Sequence, residues 1–326
     1  MFSCKFFKWK KKRKDQLKYI KNRGKSTEYE MNRVMMFKLI AKYVAKLGLG
    51  RSQKVVNLYE SMYSMIGRGI RSEYVEMDGQ KVFLDKEDSL MLSIKHTKHE
   101  ATEIKFLKQI IKNGDTVLDL GANIGVYSLI FAKLVGKSGH VFAFEPDPTN
   151  FEILSKNVKE NKHENVTLVQ KAVSEKNDRI KLYVSKRNHA SHRIFDSEEK
   201  RNSIEVDVTT LDTYFEKIKN PINFIKMDIE GVEGAALLGA PNIIKNSKDL
   251  VIMMEYFPKW IKKYGTNPQE ILNLLVDKKF KLFNIDIMQK KIVPINVKSF
   301  VKEYNEEKEN YTNVLCVKGK EYSIND

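Results

Sequence analysis

From residue 115 onward, short apolar runs alternate with longer segments of helical periodicity. A chain with that alternation folds as a parallel sheet covered by helices on both faces. The pattern predicts strands over 115–120, 140–145, 166–170, 180–184, 204–208, 222–228, 250–255, 280–286 and 313–317. Helices are predicted over 123–135, 148–162, 209–219, 231–245 and 268–278. Strands 180–184 and 204–208 have no helix between them and read as an inserted antiparallel hairpin. Upstream, "NRVMMFKLIAKYVAKL" (32–47) keeps Lys38, Lys42 and Lys46 on one stripe, which predicts a helix with a wide apolar face. Residues 55–66 read as a second helix, stopped by Gly67 and Gly69. Residues 74–95 alternate about a turn at Asp78-Gly79, like a small hairpin, and 100–112 form a helix ending at Asn113-Gly114. Residues 302–311 read as a polar surface loop.

In a doubly wound sheet the ligand lies at the carboxyl ends of the strands, over the first strand–helix turn. Here that turn runs from Asp119 to Gly125 within "VLDLGANIGVYSLIFAK". A dinucleotide site asks for G-x-G-x-x-G, so that backbone can approach the pyrophosphate. Aligned from Gly121, the second and third glycines fall on Asn123 and Val126, which removes that reading. S-adenosylmethionine has no pyrophosphate. Its turn admits a methionine moiety and a nucleoside with fewer glycines, and Gly121 and Gly125 are expected to make that room. Glu145 ends the next strand, "HVFAFEP", where a carboxylate accepts hydrogen bonds from both ribose hydroxyls. Pro146 then stops the strand.

The stretches "DLGANIG", "FEPDP", "DVTTLDTYF", "FIKMDIEGVEGAALLGA" and "VIMMEY" together resemble the FkbM-type methyltransferases. These are S-adenosylmethionine-dependent O-methyltransferases of the Rossmann-like, seven-stranded class. The resemblance covers about residues 100–318, and "IKMDIEGVE" following "TLD" is its most distinctive part. It implies an α/β fold: a Rossmann-like seven-stranded methyltransferase sheet with helices on both faces, to which the residue pattern adds an inserted β-hairpin and an N-terminal helical extension that the resemblance does not cover. The expected divisions are a basic arm (1–30), the extension with its hairpin (31–98) and a methyltransferase domain (99–326). Carried over by position, the resemblance implies cofactor contacts from Asp119, Gly121, Asn123, Gly125, Glu145 and Asp147. It also implies that the segment around Ala172 passes the adenine.

Methyl transfer to a hydroxyl needs alignment of the nucleophile and removal of its proton. Asp228, Glu230 and Glu233 stand at and beyond the end of "INFIKMD", a strand expected beside the first one. Asp228 is the leading candidate for general base or hydroxyl acceptor, and Glu230 the second. Glu233 is a substrate contact or, more simply, an acid at a helix N-terminus. Glu255, ending "VIMMEY", faces the same mouth as a substrate contact or structural partner. His189 and His192 sit in the inserted hairpin. His192 is an alternative base, although an exposed loop explains both. A metal there would need ligands beyond Asp196, so none is expected.

Charge separates the possible acceptors. Residues 1–25 carry eleven Lys or Arg against one Asp, or +10 of the net +16, so the excess belongs to an arm. Phe6, Phe7 and Trp9 among those lysines suit an anionic membrane surface or a nucleic-acid backbone; a solvated tail is the plain alternative. No apolar run follows that would make a secretory signal or a membrane span. Cys4 and Cys316 are isolated thiols, consistent with a cytoplasmic, reducing setting. No Asn-Pro-Pro-Tyr or Pro-Cys motif for base methylation is present. The leading reading is O-methylation of a glycan or small-molecule hydroxyl, with the arm at the inner membrane face. The alternatives are RNA ribose methylation using the arm, or a non-catalytic cofactor-binding scaffold.

Overall fold

The computed structural model describes residues 74–84, 104, 106–184, 202–218, 220–286, 291–308 and 310–319. The expected helices over 32–47 and 55–66, the arm, His189, His192 and Asp196 lie outside the described residues.

The first described element is the expected hairpin, β1 (Tyr74–Met77) antiparallel to β2 (Gln80–Phe83), turning at Asp78-Gly79. Residues 106–110 are helical and lead into the main sheet. β3 (Thr116–Leu120) is buried along its whole length, as a strand covered on both faces must be. It pairs in parallel with β4 (His140–Phe144) on one side and β9 (Phe224–Met227) on the other. β5 (Val166–Val169) extends the sheet beyond β4, and β10 (Leu250–Tyr256) extends it beyond β9. β13 (Thr312–Lys318) runs antiparallel between β10 and β11 (Lys281–Asp286). The order is β12-β11-β13-β10-β9-β3-β4-β5, with β12 (Lys291–Pro294) antiparallel to β11 at the edge. The seven expected strands are all in this sheet. β12 is an addition, and its Pro294 is tolerated because an edge strand can spare a donor.

Side-chain alternation sorts the core. Leu118, Leu120, Ile225, Met227, Ile252 and Met254 pack in one cluster, while Val117, Val141, Phe224, Val251 and Met253 pack in another. Successive residues of a strand point to opposite faces, so both faces of the central strands are buried.

α1 (Val126–Val135) follows β3, and α2 (Pro148–Glu160) follows β4. Asp147 caps α2 by accepting from the Asn150 N–H at 2.9 Å, with Pro148 in the first turn. Asn157 of α2 is fully buried and fastens the hairpin. Its Oδ1 accepts from the Phe83 N–H at 2.6 Å, and its Nδ2 donates to the carbonyls of Phe83 and Ile124.

The inserted hairpin is part of a separate three-stranded sheet. β7 (Asp178–Val184) and β8 (Asn202–Thr209) are antiparallel, and β6 (Ala172–Val173) adds in parallel to β8. The predicted helix 209–219 contracts to α3 (Leu211–Phe215), capped by Thr210. The predicted helix 231–245 is two helices, α4 (Glu233–Leu238) and α5 (Pro241–Asn246). Pro241 has no N–H to continue α4 and instead opens α5 at its first turn. α6 (Pro258–Tyr264), α7 (Pro268–Asp277) and α8 (Val297–Glu303) complete the described helices. α7 matches expectation. α6 and α8 are seven-residue, lysine-bearing helices too short for periodicity to reveal, and α8 enters the segment expected as a loop.

Candidate active site

Sheet order reverses between β3, which leads to β4 and β5, and β9, which leads to β10. The turn after β3 therefore sits at the switch point where doubly wound folds bind ligands. Two backbone hydrogen bonds fix it: the N–H groups of Gly121 and Ala122 both donate to the Phe144 carbonyl, at 3.0 and 2.9 Å. Asn123 takes a left-handed conformation (φ 52°), and its Oδ1 accepts from the Ile124 N–H at 2.7 Å. Short amide side chains tolerate that region best. The room at the two turn glycines serves the protein itself. A Cβ on Gly121 would lie 2.0 Å from the Asp228 carbonyl oxygen, and one on Gly125 would lie 2.5 Å from Leu154 Cδ1. Their role is to let the turn approach β9 and α2.

Two carboxylates flank the turn. Asp119 is fully buried; its Oδ2 accepts from Ser128 Oγ at 2.6 Å, and its Oδ1 has no hydrogen-bond partner. Burial pushes this carboxyl up, opposed by Lys226 and Ser128. Glu145, only 5% exposed, accepts from the Asn123 N–H at 2.8 Å and from the Asp147 N–H at 2.9 Å, one on each oxygen. Burial pushes its carboxyl up to about 7, against those two hydrogen bonds.

The second group stands at the ends of β9 and β10. Asp228 is open, with 47% of its side chain exposed, and its Oδ2 meets Lys226 Nζ at 3.2 Å. Lys226 is almost fully buried, pairs in register with Asp119, and lies 4.6 Å over the Tyr127 ring. Glu230 is left-handed (φ 57°), a conformation rare enough outside glycine to mark a shaped loop. Burial, then the charges of Asp228, Glu230 and Glu233, push the Glu255 carboxyl well up; Lys226 opposes them. Asp228 also acts on Asp119, so the turn carboxylate and the β9 carboxylates share one field.

Glu233 turns inward. It is 1% exposed, and its Oε1 accepts from the N–H groups of Ile229 and Gly231, bracing the loop into α4. Burial pushes its carboxyl from an ordinary 4.5 up to about 7. Between those values the folded chain holds a proton that the unfolded chain has lost, so this group's contribution falls as pH rises from about 4.5 to about 7. That shift corresponds to about 3 kcal/mol. Glu233→Gln keeps an acceptor at Oε1 and cannot ionise. The gap between its urea midpoints at pH 5 and pH 8 should therefore be narrower than in the wild type. An equal gap would mean that Glu233 does not titrate in this range.

The structure thus brings together Asp119, Gly121, Asn123, Gly125, Glu145, Asp228, Glu230, Glu233 and Glu255, at one end of the sheet. Asp147 lies beside them with its Oδ1 on the α2 cap. Ala172 packs with Leu182, Val206 and Val208 of the small sheet. Two residues were missed from the sequence, Lys226 and Ser128. Placing "FIKMD" beside the first strand already implies a buried lysine next to Asp119, which was the available signal. Among the described residues, no group of three or more His, Cys, Asp or Glu is placed to hold a metal ion.

This donor set fits S-adenosylmethionine. Asp228 meets Lys226 at 3.2 Å, and the Lys226 charge also acts on Asp119 and Glu255, so acidic side chains outnumber the cation. Such a field disfavours a pyrophosphate and favours a ligand bearing ammonium and sulfonium charges. The partnerless, buried Oδ1 of Asp119 is an acceptor suited to an ammonium donor. The Glu145 oxygens accept from the Asn123 and Asp147 N–H groups, and a carboxylate has further lone pairs for a hydroxyl. Sheet and site together have the form of a Rossmann-like α/β fold with a centre that fits S-adenosylmethionine.

The family described as the methyltransferase FkbM domain matches residues 119–282, half of the chain. The chain belongs to that family. The protein-L-isoaspartate(D-aspartate) O-methyltransferase family also matches residues 45–172. A protein-L-isoaspartate O-methyltransferase of Methanothrix thermoacetophila is 32% identical over 59 residues, 18% of this chain and 28% of that enzyme. The match thus spans under a third of that relative. Among solved structures, a putative rRNA methylase from Clostridium thermocellum aligns with TM-score 0.42 and 16% identity, covering 69% of this chain and 98% of that one. An FkbM methyltransferase from Methylobacillus flagellatus aligns with TM-score 0.38 and 14% identity, covering 80% and 60%.

Proposed function

We propose that this protein transfers a methyl group from S-adenosylmethionine to a hydroxyl oxygen of a glycan or small molecule. The observation that carries the reading is the open Asp228 carboxylate. It stands at the end of β9, next to the turn, with its backbone carbonyl in close approach to Gly121. When bound, the cofactor supplies a methyl carbon already activated by a good sulfonium leaving group. Asp228 would orient the acceptor hydroxyl and take up its proton. Lys226 holds the Asp228 carboxylate in place through its 3.2 Å contact. Glu145 would accept from the ribose hydroxyls, and Asp119 from the methionine ammonium group. The acidic surroundings suit an uncharged hydroxyl better than a phosphate-bearing acceptor.

Calorimetry with S-adenosylhomocysteine tests the cofactor half. The wild type should bind, and Glu145→Ala should weaken binding by roughly a hundredfold, the loss of two hydrogen bonds to a charged acceptor. Absence of wild-type binding would remove the proposal. Unchanged affinity in the variant would remove the ribose assignment. Labelled cofactor offered to glycan, lipid and RNA fractions tests the acceptor half, with label expected on a hydroxyl outside RNA.

A further inference from the structure

Beyond the end of β10, three aromatic rings gather at the rim of the carboxylate site. The Phe257 and Trp260 centroids are 4.2 Å apart with planes at 42°, and Phe257 and Tyr311 are 5.7 Å apart at 37°. Tyr311 is 63% exposed, and Phe257 and Trp260 are partly exposed. Their position follows from chain geometry. Glu255 and Tyr256 pair in register with Asn313 and Thr312, so Phe257 and Tyr311 lie side by side where β10 ends and β13 begins. Trp260 packs against the loop that carries Asp228 and Glu230. A Cβ on Gly231 would come within 2.8 Å of the Trp260 carbonyl group.

We propose that Phe257, Trp260 and Tyr311 form the acceptor subsite, and that the acceptor is an uncharged sugar ring stacked on them with a hydroxyl toward Asp228 and Glu255. This rests on the O-methyl transfer proposed above. Exposed aromatic faces in a group bind a flat ligand surface, which either a pyranose or a nucleobase can offer. The neighbouring charges choose between them. The loop that carries Asp228 and Glu230 meets Trp260 through Gly231, and Glu255 lies two residues before Phe257; the exposed Asp228 carboxylate repels a phosphodiester chain, whereas it accepts hydrogen bonds from sugar hydroxyls. Lys259 and Lys263 share the helix with Trp260, and each already engages a group of the protein. A cavity of about 430 Å³, lined in part by Tyr256, Pro258 and Lys262, has none of the three rings in its lining. The platform is therefore distinct from it.

The chain has two tryptophans, Trp9 and Trp260. In a Trp9→Phe protein, Trp260 alone reports on the subsite. With S-adenosylhomocysteine bound, a panel of uncharged methyl hexopyranosides should give a saturable change in Trp260 emission. Tyr311→Ala should raise the half-saturating concentration about tenfold, a typical loss for one aromatic contact, while calorimetric affinity for S-adenosylhomocysteine stays unchanged. Single-stranded RNA should give no such change. If S-adenosylhomocysteine does not bind, the methyltransferase reading fails and the subsite with it. If it binds but no glycoside perturbs Trp260, or RNA does so instead, or Tyr311→Ala has no effect, the sugar subsite is overturned and the reaction assignment stands.

Discussion

Asp228→Asn should leave S-adenosylhomocysteine affinity within about twofold and lower kcat by about 10²–10⁴. Asparagine keeps the shape of the side chain and an acceptor oxygen for Lys226, but it cannot take up a proton. The side chain is half exposed, so the change should cost little stability, within about 0.5 kcal/mol. That separates a chemical loss from a folding loss, because urea midpoint and cofactor affinity are measured on the same preparation. Removing this charge should also ease the Glu255 carboxyl back toward its ordinary range, since Asp228 is the strongest named charge holding it up. The pH profile of residual activity should move accordingly. Full activity in the variant would place proton removal on another group or on solvent.

Much of this arrangement is legible in the sequence because the central strands carry their own signal. "TVLDL", "HVFAF" and "LVIMMEY" are mostly apolar runs with an acid in or just beyond them, and such runs require burial on both faces. The glycine turn and Glu145 follow from their spacing along a strand–helix–strand unit. Lys226 was obscured for the converse reason. A lysine is ordinarily read as exposed, and only its register opposite Asp119 makes it a buried counter-charge. Glu233 illustrates a second limit. Its position beyond the strand suggests the site mouth, but the left-handed Glu230 turns the chain so that Glu233 points back onto the amides of Ile229 and Gly231. Pro241 was an available signal of a helix boundary that the single predicted helix 231–245 overran. The aromatic rim gave no local pattern, because Tyr311 comes from a distant segment and reaches Phe257 only through the antiparallel pairing of β10 with β13.

Gly121→Ala should be the most destructive small substitution at the site. Gly121 has φ 78°, a left-handed conformation that costs an alanine about 1–2 kcal/mol. The added Cβ would also fall 2.0 Å from the Asp228 carbonyl oxygen and 3.2 Å from Ile229 Cγ2. Neither backbone is free to give way. The Asp228 N–H donates to the Leu120 carbonyl at 3.1 Å, and the Gly121 N–H donates to the Phe144 carbonyl at 3.0 Å, so turn and strand are both held in the ladder. Overpacking adds about 1–3 kcal/mol, for a total of about 2–5 kcal/mol. Gly125→Ala is the matched control. It has a similar left-handed φ of 89°, but its Cβ meets Leu154 Cδ1, the end of a flexible side chain. A lower urea midpoint for Gly121→Ala than for Gly125→Ala, with cofactor affinity reduced at least tenfold, is the expected result. Equal midpoints would mean that the turn and the end of β9 are farther apart than this geometry requires. The same spacing brings Asp228 beside the cofactor turn, so this comparison bears on the reaction as well as on the fold.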